Sequence, residues 1–209
     1  MKKYVLIILF ILLQTGCKDQ FYKNIKDVKN PNDILVLVNK NNKLKEDFIP
    51  NNLIKLDLRY SNKEKYLKKE AAEAFYKLSK DAGKLGYKII AVSGYRSYTY
   101  QKELFKYYVN SKGIDYALMC SAKAGHSEHQ TGLAVDVEGE NKDYNLFEQT
   151  KEFKWMINNS YKYGFILRYP KGKEDITGFK YEPWHYRYIG VNNAIKIHKK
   201  NITLEEYLK

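Results

Sequence analysis

Ser127-Glu-His-Gln-Thr-Gly-Leu-Ala-Val-Asp136-Val137 decides the fold. Leu133, Val135 and Val137 alternate with Ala134 and Asp136, so one face of a strand packs while the other stays open beside a carboxylate. Upstream, Ser61-Asn-Lys-Glu64 is read as a capping box, with Leu67, Ala71, Phe75, Leu78, Ala82 and Leu85 at helical spacing up to Gly86. Ile89 to Val92 then reads as a buried strand that delivers Ser93-Gly-Tyr-Arg-Ser97 to its end, and a helix is expected from Tyr98 to Asn110. Ile34 to Val38 and Phe48 to Leu58 are expected as edge or wrapping strands. Downstream, Asn145-Leu-Phe-Glu148 reads as a second capping signature for a helix running to Gly164, followed by strands over Phe165–Tyr169 and Tyr181–Tyr188. The pattern predicts a single α+β domain with a central, mainly antiparallel sheet flanked by helices.

Three segments concentrate chemistry. His129 precedes a glycine turn and Asp136 follows on the small-residue face of the strand, two thirds of a catalytic zinc site. The chain has four histidines, and His185 is the third candidate ligand because His198 sits in a Lys-rich segment without a carboxylate motif. His126 and His129, three apart, form a competing ligand pair on a helical turn. In Glu182-Pro-Trp-His185, Glu182 is placed as general base, which requires the backbone to turn between them, and Pro183 supplies the break. Arg96 offers a planar cation for a tetrahedral oxyanion or for a substrate carboxylate.

The chain carries 37 Lys and Arg against 24 Asp and Glu, a net charge of +13. Residues 1 to 16 hold two of those positive charges and no acid, which leaves +11 for the remainder. Such a balance suits nucleic acid in a cytoplasmic protein and anionic lipid or wall polymer in an exported one. Export is the expectation, because Met1-Lys-Lys3 is followed by ten apolar residues, Tyr4 to Leu13, the order of a secretory signal. Half the length of a bilayer span makes a permanent transmembrane anchor the weaker reading. Gly16-Cys17 resembles a bacterial lipoprotein signal, with Gln14 where such signals usually place Leu. The expected organisation is a signal over 1–16 with Cys17 lipidated, a tether over 17–33 and a catalytic domain over 34–209; an ordinary signal cut nearby is the alternative. Cys120 is the only other cysteine, so a lipidated Cys17 leaves no disulfide, and Cys120 reads as a small packed residue.

Ser93-Gly-Tyr-Arg-Ser97, Ser127 to Asp136 and Glu182-Pro-Trp-His185 together resemble the VanY-type D-alanyl-D-alanine carboxypeptidases, zinc enzymes of peptidoglycan metabolism. The likeness runs from about Ile34 to Gly190. It implies one zinc ion on His129, Asp136 and His185, Glu182 as base, Arg96 as transition-state partner, and Gln101 and Ser127 as residues that orient the peptide. It further implies removal of D-alanine from stem peptides or precursors by a monomer at the outer face of the cytoplasmic membrane or in the periplasm, with no nucleic-acid partner. An L,D-carboxypeptidase acting on tetrapeptide stems shares the same ligands. A catalytically inactive wall-binding module is the alternative from another class, and Glu182 argues against it.

Overall fold

The computed structural model describes residues 21–140 and 143–209. The apolar leader and Cys17 lie outside the described residues. In chain order the elements are β1 (Lys26–Asp27), β2 (Asn42–Lys43), β3 (Leu53–Lys55), β4 (Tyr66–Lys68), α1 (Lys69–Lys84), β5 (Ile90–Ser93), α2 (Tyr98–Lys112) and α3 (Ile114–Cys120). There follow β6 (Ala134–Glu138), α4 (Lys151–Asn159), β7 (Phe165–Leu167), α5 (Glu174–Thr177), β8 (His185–Tyr188), α6 (Val191–Lys200) and α7 (Leu204–Tyr207). The central sheet has the order β5-β6-β8-β7 with every pair antiparallel. The expected α+β domain with its antiparallel sheet and surrounding helices is what forms. None of the described helices is long and apolar enough to cross a membrane.

The alternation of residues 133 to 137 settles which face packs. Val135 and Val137 are fully buried against Ala71, Phe75 and Leu78 of α1 and Met156 of α4, in one core with Phe165 and Tyr186. Each such large side chain contributes about 1.5–3 kcal/mol by leaving water. A second cluster, Ile166, Ile189, Ala194, Ile197 and Leu204, seats α6 and α7 on β7.

Both proposed capping boxes are corrected. α1 begins at Lys69, its N-cap Lys68 makes no side-chain cap bond, and Leu67 belongs to β4. Glu64 is drawn instead to Lys55 of β3, and Ser61 Oγ donates to the Lys63 carbonyl at 2.8 Å, so neither side chain is left for a helix end. Near residue 145 the chain makes a 3-10 turn over Tyr144–Gln149, and the cap of α4 is Thr150, whose Oγ1 accepts from Phe153 N–H at 3.1 Å. Ile34 to Val38 is buried in part but is not a strand; the Ile34 and Val36 carbonyls accept from Arg187 Nη2 at 3.0 and 2.9 Å, a side chain taking the place of a neighbouring strand. Only Leu53–Lys55 of the stretch 48–58 pairs, and only His185–Tyr188 of 181–188. Residues 21–33, expected to need no fold, lie on the domain, with β1 parallel to β2 and the Tyr22 ring edge-on to His126.

Replacing Thr150 by Ala is expected to cost about 1 kcal/mol, read as a lower urea midpoint with an unchanged slope.

Candidate metal centre

Sheet register builds the centre. Asp136 in β6 stands directly opposite His185 in β8 and opposite Ser93 in β5, so Asp136 and His185 project from the same face of adjacent strands. His129 arrives from the loop before β6, in a 3-10 turn over Glu128–Thr131 that ends at Gly132 with φ +69°. That left-handed conformation, which glycine adopts without steric cost, reverses the chain into β6. One ligand atom from each of His129, Asp136 and His185 lies within 4.8 Å of the other two. This is the predicted set. His126 is not in it: its Nδ1 pairs with the Asn39 carbonyl at 2.9 Å, and His198 stacks on Tyr161.

The chemistry of these atoms suits a cation. His129 Nδ1 is 2.7 Å from the Gly94 carbonyl, a contact that requires the proton on Nδ1 and leaves the Nε2 lone pair pointing inward. Nε2 is buried without a hydrogen-bond partner among the described residues and lies 3.3 Å from Asp136 Oδ2. Burial, and then the Arg96 charge, hold the His129 pKa down to about 4. A neutral nitrogen lone pair facing a carboxylate is unfavourable unless a positive ion lies between them. His185 presents Nδ1 to Asp136 Oδ1 at 2.9 Å. Burial depresses its pKa, but hydrogen bonding to Asp136 and Glu128 outweighs this and lifts it to about 9. The pocket therefore draws positive charge to the point where the three groups meet, and two imidazoles with one carboxylate are a donor set that zinc accepts.

Glu182 sits beside this point. The chain turns at Pro183-Trp184, with His185 N–H donating to the Glu182 carbonyl at 3.1 Å, and this brings Glu182 Oε2 to 3.9 Å from His185 Nδ1. The required turn is present. Burial chiefly, with Asp136 adding to it, raises the Glu182 pKa to about 7. Arg96 donates through Nη1 to Gln101 Oε1 at 2.9 Å and through Nη2 to Asp136 Oδ2 at 3.2 Å. Gln101 is 1 % exposed, and its amide nitrogen donates to the Ala122 carbonyl at 2.8 Å, so the side chain orients Arg96 from behind and is absent from the cleft wall. Ser127 does line the cleft, and its Oγ accepts from His129 N–H at 3.4 Å. The cleft encloses about 760 Å³ and extends from the ligands along Tyr95, Tyr108, Tyr116 and Lys180. Sequence reasoning gave no role to Glu128, which is fully buried behind His185; its partners Arg168 and Arg187 come from distant segments that no local motif connects to it.

Known proteins resemble this chain in sequence and fold. The pattern of the VanY family, D-alanyl-D-alanine carboxypeptidase, matches residues 64–191, and the chain belongs to that family. It is 44% identical over 205 residues to the putative carboxypeptidase YodJ of Bacillus subtilis (strain 168), covering 92% of this chain and 75% of that one. Among solved structures it resembles the LdcB LD-carboxypeptidase with a TM-score of 0.83 and 45% identity, over 89% of this chain and 90% of that one. It also resembles a mutant of the D,D-pentapeptidase VanY from a VanB-type resistance cassette in complex with Zn(II), with a TM-score of 0.70 and 33% identity, over 84% of this chain and 98% of that one.

A Cβ at Gly94 would lie 2.5 Å from the Tyr66 carbonyl oxygen, and the Gly94 carbonyl holds His129. Gly94→Ala is therefore expected both to lower the melting temperature and to weaken zinc binding. Competition with a chromophoric chelator checks the second effect, against one equivalent of zinc bound by the wild type.

Proposed function

We propose that the protein is a zinc-dependent carboxypeptidase that removes the C-terminal D-alanine from peptidoglycan stem peptides. The observation that carries this reading is the convergence of His129, Asp136 and His185 with Glu182 beside them in an open cleft. When bound, zinc supplies Lewis-acid polarisation of a carbonyl and makes water acidic near pH 7. Glu182, with its carboxyl poised near neutrality, accepts the proton of the attacking water and returns it to the departing amine. Arg96, fixed by Gln101 and Asp136, holds a positive charge where negative charge builds on the scissile carbonyl oxygen. Because its Nη2 is held on Asp136, within the ligand cluster, this role is favoured over a remote clamp on the substrate carboxylate. Ser127 and the tyrosine-lined wall are left to contact the peptide.

Two bonds are candidates. Cleavage of D-Ala-D-Ala in the pentapeptide is supported by the family pattern and by the Zn(II)-bound VanY neighbour. Cleavage between an L-centre and D-Ala in the tetrapeptide is supported by the fuller likeness to the LdcB LD-carboxypeptidase, and DacB of Streptococcus pneumoniae, 36% identical, is likewise an L,D-carboxypeptidase. The breadth of the LdcB likeness favours the second bond. Export, lipid attachment at Cys17, a monomeric state and a location at the cell envelope complete the proposal, resting on the leader sequence and on the charge of +13.

Incubating the soluble chain from residue 18 with tetrapeptide and pentapeptide stems, with and without chelator, is expected to show chelator-sensitive loss of one D-alanine by mass spectrometry. Faster loss from the tetrapeptide supports the L,D activity, and loss from the pentapeptide alone supports the D,D activity. Cleavage of neither, with zinc bound, would leave a wall-binding module. Glu182→Gln is expected to lower kcat by roughly 10²–10⁴-fold while zinc still binds. In the expressing cell, Cys17→Ser is expected to shift the protein from the membrane fraction to the soluble fraction.

A further inference from the structure

Glu128 lies outside the catalytic set and is fully buried. Its Oε1 accepts from Arg168 Nε at 2.7 Å and from Arg187 Nη1 at 2.8 Å. Among the described residues its Oε2 has no hydrogen-bond partner and lies 3.5 Å from His185 Nε2, itself buried and without one. The two unpartnered atoms face each other across a short gap. One is a carboxylate oxygen, and the other is the ring nitrogen turned away from Asp136.

We propose that Glu128 is the positioning residue for the metal centre: its Oε2 takes the Nε2–H of His185, which fixes the tautomer and ring angle that turn the Nδ1 lone pair toward the ion. An imidazole ligand that donates its other N–H to a carboxylate is both oriented and made more basic. The surroundings enforce the arrangement. Arg168 and Arg187 both donate to Oε1, so this oxygen is committed and only Oε2 is free for His185. Ala134 stands opposite Arg187 in the register of β6 and β8. Arg187 and His185 are two apart on β8 and share a face, so one carboxylate reaches both. At the far end of the network Glu205 of α7 holds Arg168 through a double contact, Oε1 to Nη2 at 2.6 Å and Oε2 to Nη1 at 2.9 Å.

An amide in place of the carboxylate reverses the polarity. In Glu128→Gln the two arginine donors keep the carbonyl oxygen on their side, which turns the NH₂ toward His185 Nε2 and favours an Nε2 lone pair with the proton on Nδ1. That is the wrong tautomer for ligation through Nδ1. Neutralising Glu205 disturbs the same arginine without touching His185.

The inference rests on the zinc-site reading, and its test separates the two. Zinc affinity is measured by chelator competition on the wild type, Glu128→Gln, Glu128→Asp and Glu205→Gln, with melting temperatures of the metal-free forms measured in parallel. Glu128→Gln is expected to bind zinc roughly 10–100-fold more weakly, with partial recovery in Glu128→Asp. Glu205→Gln is expected to melt lower with near wild-type zinc affinity. Wild-type affinity in Glu128→Gln, or affinity losses that track melting temperature across all variants, would overturn the role of Glu128 and leave the metal site standing. A wild type that binds no zinc overturns both. Should Glu128→Gln fail to fold, ¹⁵N imidazole spectra of the zinc-loaded wild type decide: a proton on Nε2 of His185 with Nδ1 ligated supports the proposal, and the opposite tautomer ends it.

Discussion

A carboxylate sealed between two arginines is the constraint on which this structure depends. Glu128, Arg168 and Arg187 are all fully buried, so each charge has lost its water and must be answered within the protein. Burial alone would raise the Glu128 pKa, yet Arg168 and Arg187 hold it well below the usual carboxylate range. A buried ion cluster of this kind is a poor source of net stability, because desolvation consumes most of the Coulombic gain, whereas removing one partner strands the others. Its value lies in uniqueness. Arg187 spends its remaining donors on the carbonyls of Ile34, Val36 and Tyr188, and Arg168 spends its own on Glu205.

Arg187 of the ion cluster and two of the candidate metal ligands, Asp136 and His185, occupy one face of the same two strands. Asp136 and Ala134 alternate with valines on β6, and His185 and Arg187 alternate with Tyr186 and Tyr188 on β8. Period-two geometry thus divides the sheet into a hydrophobic side against α1 and a polar side that holds the centre at one end and its ionic support two residues away. A one-residue slip of β8 would turn His185 into the core and bring Tyr186 beside Asp136. Register is therefore a condition of the chemistry as much as of the fold.

This explains what was legible in the sequence. The alternation from Leu133 to Val137, the glycine after His129 and the proline between Glu182 and His185 are local signals, each with a local physical cause, and the structure assembles the residues they mark. The failures have one origin. Ser61 and Glu64 have the spacing of a helix cap, yet Lys55 across the β3–β4 pair takes the carboxylate. Ile34 to Val38 has the composition of a strand, yet a side chain from residue 187 takes its carbonyls. In each case a partner from outside the local pattern takes the group that the pattern had assigned, and such partners have no periodicity to reveal them.

The same remoteness bears on where the working unit begins and ends. The family pattern spans residues 64–191 and includes every residue proposed as catalytic or as a metal ligand, yet Ile34, Val36 and Glu205 lie outside it. These flanking segments close the cage around the two arginines that grip Glu128, and Glu128 stands behind a histidine of the centre. A fragment cut to the matched span would keep every residue proposed to act on the substrate. It would leave donors of the buried Arg168 and Arg187 unanswered, at a cost in the stability of the domain. The centre is thus a property of the whole described domain, held from behind by chain segments that make no contact with the cleft.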